Sequence, residues 1–66
     1  SNTDKISLNQ ATKEELKQLP SIGDKRADDI IAYRESHGGF KKIEDLKEVS
    51  GIGEKTYEKL KDKVSL

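Results

Sequence analysis

The residues best suited to chemistry lie in two segments thirty positions apart. Leu19-Pro20-Ser21-Ile22-Gly23-Asp24-Lys25 and Val49-Ser50-Gly51-Ile52-Gly53-Glu54-Lys55 follow one plan: an apolar residue between a turn and a glycine, then an acid and a lysine. Glycine lets the backbone turn tightly with no Cβ to shield its amides. A helix starting at that point presents unpaired N–H groups and the positive end of its dipole. Together these make a seat for one phosphate oxygen, and Lys25 and Lys55 add a point charge to the same anion. Such contacts hold a nucleic-acid backbone without reading its bases. A glycine turn between helices is also common where nothing binds, with Ile22 and Ile52 serving as core plugs. Asp24 and Glu54 complement the dipole themselves, either in competition with an anion or as capping residues turned away from it.

Other polar groups add less. Lys55, Lys59 and Lys63 recur at i, i+4 beside a ridge of Glu54, Glu58 and Asp62. That alternation describes a solvated face or an extension of the phosphate site along a groove. Arg26 and the Lys41-Lys42 pair are further cations. The single histidine, His37, stands before two glycines at a helix end, where it caps rather than catalyses. Asp28 and Asp29 are adjacent, so they diverge by about 100° on a helix and share no metal. With no Ser/His/Asp spacing and no phosphate-loop signature, no enzymatic activity, metal or cofactor is expected.

The elements that position these segments come from an internal repeat. Lys13–Ile30 aligned on Ile43–Leu60, an offset of 30 residues, gives six identities in 18 positions, where roughly one is expected from residue frequencies. Each unit reads as helix, tight turn, helix. Thr12 with Glu15 forms a capping box, Leu16 and Leu19 share a helical face, and Pro20 ends that helix. A second helix follows from about Asp24 to Ser36 with Ala27, Ile30 and Ile31 as its stripe, stopped at Gly38-Gly39. The second unit has Leu46 and Val49 before its turn. A helix from about Glu54 follows, with Tyr57, Leu60 and Val64 inward. Phe40 plugs the seam between the units. No strand pattern is visible. The expectation is an all-α, compact bundle of four to five short helices, made of two pseudo-symmetric units over residues 12–36 and 43–64, within a domain spanning 6–66. Residues 1–5 read as a linker or scar.

Composition bounds the rest. The chain has 66 residues, 39% charged and 30% hydrophobic, so the core is thin and shared by both repeats. Thirteen basic against thirteen acidic residues leave no net charge, so anion binding must rest on local geometry. Without cysteine there are no disulfides or thiolate sites. No apolar run approaches the roughly 20 residues of a membrane span, and a large metalloenzyme or transporter is excluded.

These features resemble the tandem helix-hairpin-helix domain of the ComEA competence-protein family. The carriers are both hairpins, the stretch Ala27, Ile30-Ile31, Tyr33-Arg34, Gly39-Phe40 and Glu44-Asp45-Leu46, and the Ile6–Thr12 segment ahead of the first helix. The resemblance covers about Ile6 to Val64. It implies sequence-independent binding of double-stranded DNA across the minor groove, through backbone amides at Gly23, Gly51 and Gly53 and through Lys25 and Lys55 on phosphates. The implied contact set is completed by Ser21, Ile22, Arg26, Ile52, Thr56 and Lys59. It further implies DNA uptake outside the cytoplasmic membrane, with uptake-machinery proteins as partners and no membrane contact by the domain itself. Ser21 stands where the family often has glycine. If that position needs positive φ, the serine costs roughly 1 kcal/mol or more. Two other readings keep the same fold: a protein-interaction or structural module without DNA, and an accessory DNA-binding module in a larger DNA-processing enzyme.

Overall fold

Thr12 opens the first helix as the sequence requires. Its hydroxyl accepts the Glu15 N–H at 3.2 Å, and the Glu15 carboxylate accepts the Thr12 N–H at 2.9 Å. The computed structural model describes residues 5–66, so the linker expected over 1–5 falls, apart from Lys5, outside the described residues. In chain order these form β1 (Ile6–Ser7), α1 (Lys13–Leu16), α2 (Asp24–His37), a 3-10 helix (Ile43–Glu48), α3 (Glu54–Leu60) and β2 (Val64–Ser65). The described chain is mostly helical, as expected.

Three elements differ from expectation for local reasons. Helix α1 stops at Leu16 rather than reaching Pro20. Bonds from Gln18 to Glu15 and from Leu19 to Leu16 tighten the chain before the proline. Its counterpart in the second repeat is a 3-10 helix. There Lys42 occupies the place of Thr12 and offers no hydroxyl, so only the backward half of the cap survives, with Asp45 accepting the Lys41 and Lys42 amides at 3.1 and 3.3 Å. The last helix ends at Leu60, which removes Lys63 and Val64 from it. Val64 instead pairs in parallel with Ile6, a two-residue strand pair that the sequence pattern did not suggest. Leu60 and Val64 both point inward either way, because i, i+4 spacing and a short extended tail bury the same residue.

The core confirms the repeat. Leu16 and Leu46 are fully buried, as are Ile30 and Leu60, and Leu19/Val49 and Ile22/Ile52 follow closely. Ala27 and Tyr57 are the aligned pair in which a small buried residue is matched by a large one. Phe40 is buried between the units, while Ile31 packs only at the edge. Gly38 ends α2 in the left-handed region at φ 69°, its N–H bonded to the Arg34 carbonyl. Among the described residues no helix is long and apolar enough to cross a membrane.

Candidate nucleic-acid interface

Both hairpin turns are built alike. Ile22 donates its N–H to the Leu19 carbonyl at 3.2 Å, and Ile52 to that of Val49 at 3.0 Å. The glycines that start the following helices have φ/ψ of −103°/−164° (Gly23) and −102°/−165° (Gly53), and no side chain caps either helix. The first helical bonds run from Ala27 to Gly23 and from Tyr57 to Gly53, both 2.9 Å. Amides ahead of those bonds have no helical acceptor, and Gly23, Asp24 and Lys25, like Gly53, Glu54 and Lys55, are exposed residues. Ser21 and Gly51 occupy the same turn position at φ 67° and 88°, and Ser21 is the only non-glycine with positive φ among the described residues. The Ser21 departure therefore does fall where a left-handed backbone is required.

The predicted side chains sort into three groups. Ile22 and Ile52 are buried core plugs whose amides are already used, so they shape the turns without offering a contact. Lys25 is highly exposed at the first hairpin, with its ammonium 3.7 Å from Asp29. Arg26 is half-buried and donates to the same carboxylate at 3.2 Å. At the second hairpin Lys55 and Lys59 are exposed and make no ion pair among the described residues, with Thr56 half-exposed between them. Lys63 lies off the helix, so the ridge is two lysines rather than three.

Two features went unseen in the sequence. Asp24 and Glu54 act neither as side-chain caps nor as unpaired charges. Each pairs with the lysine seven residues before it, Lys17 at 2.7 Å and Lys47 at 3.2 Å. Arg26 leaves its own hairpin: its guanidinium lies against Gly51 so closely that a Cβ there would collide with it. The repeat alignment held a signal for the charge pattern, since Asp29 aligns with Lys59, but not for the reach of Arg26 across the units. Among the described residues no group of acids or histidines could hold a metal ion.

The pattern of the helix-hairpin-helix motif family matches residues 1–65. The chain is 48% identical over 61 residues to ComE operon protein 1 of Bacillus subtilis, covering 92% of this chain and 30% of that protein. It is 48% identical over 63 residues to an uncharacterized protein of Haemophilus influenzae, covering 94% and 56%. It is also 47% identical over 60 residues to human Endonuclease/exonuclease/phosphatase family domain-containing protein 1, covering 91% and 10%. The chain thus spans only part of each relative.

Proposed function

The chain belongs to the helix-hairpin-helix family, and on that footing we propose that it binds double-stranded DNA without sequence preference, by its phosphates. The observation that carries this reading is the second hairpin, where an uncapped glycine turn meets two exposed lysines, Lys55 and Lys59, one helical turn apart. Backbone amides take the phosphate oxygen and the lysines supply the charge that the neutral chain lacks overall. The first hairpin contributes its amides and Lys25, with its charge partly met by Asp29. The two turns then engage a duplex unequally, the second more strongly. Contacts of this type position a backbone and carry out no reaction, so the domain acts by binding. Similarity to ComE operon protein 1 favours a role in DNA uptake outside the cytoplasmic membrane, with uptake-machinery proteins as partners.

A second reading has its own support. The vertebrate relatives are far longer than this chain, which spans about a tenth of them. The same domain there is one module of a larger protein, and a module that lends DNA binding to a larger enzyme fits the hairpins equally well.

Fluorescence anisotropy of a labelled random duplex across a salt series tests the common core of both readings. The expected Kd is on the order of 10⁻⁴ to 10⁻⁶ M, unchanged on a second unrelated sequence. Two to four phosphates give a log–log salt slope of about −2 to −4, shallower in Lys55→Ala/Lys59→Ala. No binding at low salt would overturn DNA binding and leave the fold as a protein-interaction module.

A further inference from the structure

We propose that Arg26 is a positioning residue: its guanidinium, laid over Gly51 and held by Asp29, fixes the second hairpin relative to the first so that both meet a duplex as one surface. The proposal rests on the DNA-binding reading for its consequence, and on geometry for its cause. Arg26 belongs to the first turn of α2, the helix that leaves the first hairpin, whereas Gly51 is the left-handed corner of the second. A Cβ built on Gly51 would fall onto the Cζ, Nε and terminal nitrogen of Arg26, so the guanidinium covers the bare Cα. Asp29 accepts from the Arg26 Nη1 at 3.2 Å and is itself only 22% exposed, which fixes the angle at which the plane is presented. Gly51 therefore answers two separate demands, its φ of 88° and the space Arg26 occupies.

The repeat supplies an internal comparison. Thirty residues on from Arg26 stands Thr56, and thirty residues back from Gly51 stands Ser21. By the symmetry of the two units, Thr56 is the residue that would cover Ser21, and its side chain is too short to do so. Ser21 carries a side chain at its corner, whereas Gly51, with the Arg26 guanidinium against it, carries none. The brace is one-sided, running from the first unit to the second hairpin, where Lys55 and Lys59 lie.

A flat guanidinium and a compact ammonium differ here, because only the former can lie across a backbone while keeping an in-plane bond to a carboxylate. Arg26→Lys keeps the charge and removes the brace, and Arg26→Ala removes both. Circular dichroism establishes that each variant folds. In both, the amide resonances of Gly51, Ile52 and Gly53 should move in the free chain, and hydrogen exchange at the Ile52 N–H should quicken. Affinity for a random duplex should fall about tenfold as the two turns lose their fixed spacing. Combined with Lys55→Ala, the losses should be less than additive, because both act through the second hairpin. Wild-type affinity and unshifted hairpin amides in Arg26→Lys would overturn the proposal and make Arg26 an ordinary phosphate contact. If the unmodified chain binds no duplex, the DNA reading falls. Exchange at Ile52 still decides the brace, supporting it if faster in Arg26→Lys and overturning it if not.

Discussion

Lys17 and Asp24 join the two sides of the first hairpin through a 2.7 Å ion pair, and Lys47 and Glu54 repeat it across the second at 3.2 Å. On the proposed reading, the acid at each helix start would otherwise occupy the field in which a phosphate sits. Pairing with a lysine at the end of the preceding helical segment neutralises it locally. Sequence alone left open whether these acids compete with an anion or turn away from it. The structure answers by giving each its own cation.

The first of these pairs has a defined pH signature. The hydrogen bond from Lys17, reinforced by the charges of Lys17 and then Lys13, holds the Asp24 carboxyl below its ordinary range. Its hydrogen bond to Asp24 holds the Lys17 ammonium above its own. A depressed carboxyl stabilises the fold above its unfolded value and loses that contribution as pH falls through the folded one; a raised ammonium does the reverse at the basic end. The pair's contribution is therefore level between about pH 4 and about pH 10 and fades at both extremes. Both groups are exposed and the energy is small, so the titration itself is the readout. Followed by NMR, the Asp24 carboxyl should titrate at higher pH in Lys17→Ala than in the unmodified chain. An unmoved midpoint would mean that the pair does not persist in solution.

Lys59 separates the two hairpins electrostatically, because its counterpart Asp29 draws in Lys25 and Arg26. Lys59→Asp should make the second hairpin resemble the first. Duplex affinity should drop and the log–log salt slope should become shallower by about 1. A slope that stays constant would mean that Lys59 is solvent charge and that the phosphate contacts lie elsewhere.

Ser21 and Gly51 share a turn position and should respond in opposite senses to exchange. Ser21→Gly relieves a left-handed serine, roughly 1–2 kcal/mol, while adding unfolded-state freedom of roughly 0.5–1 kcal/mol. The net gain is about 0.5 kcal/mol, a rise in Tm of about 2–4 °C. Gly51→Ser should cost more than the left-handed penalty of about 1–2 kcal/mol, because Arg26 must also be displaced. Thermal melts of both variants read this directly. Equal and opposite shifts would show that Arg26 yields freely.

Much of this was legible in the sequence, for reasons that mark where legibility ends. Repeats encode themselves through matched core residues, so Leu16/Leu46, Ile22/Ile52 and Ile30/Leu60 point to paired units before any coordinates. Turn chemistry is equally local, and the doubtful Ser21 sits where positive φ is needed. Helix ends were less legible. The periodicity that buries Leu60 continues to Val64, and nothing local reveals that the chain there leaves the helix to pair with Ile6, 58 positions away in sequence. Arg26 was visible as a cation, but the glycine its guanidinium lies against belongs to the other unit. A contact across the repeat leaves no periodic trace.

Asn9 and Arg34 show what the most distinctive part of the sequence is for. The Arg34 Nη1 donates to the Leu8 and Ala11 carbonyls at 3.1 and 2.9 Å, tying the N-terminal segment to α2. The Asn9 side chain grips the Phe40 backbone from both sides, donating to its carbonyl at 3.1 Å and accepting its N–H. Gly39 sits at φ 105°, where side chains are rarely found, and a Cβ there would press on the Asn9 amide oxygen at 3.0 Å. The residues between the hairpins thus hold the entry segment and the seam around Phe40, with Tyr33 stacked on His37 at 3.9 Å and packed on Phe40 at 4.8 Å. None of these contacts involves a residue of either turn. Asn9→Ala leaves a part-buried donor and acceptor unmet, each costing about 1–3 kcal/mol, so it should lower stability by about 2 kcal/mol or more. At a temperature where the variant is still folded, its duplex affinity and salt slope should match those of the unmodified chain. A loss of affinity in fully folded Asn9→Ala would instead make the entry segment part of the binding surface.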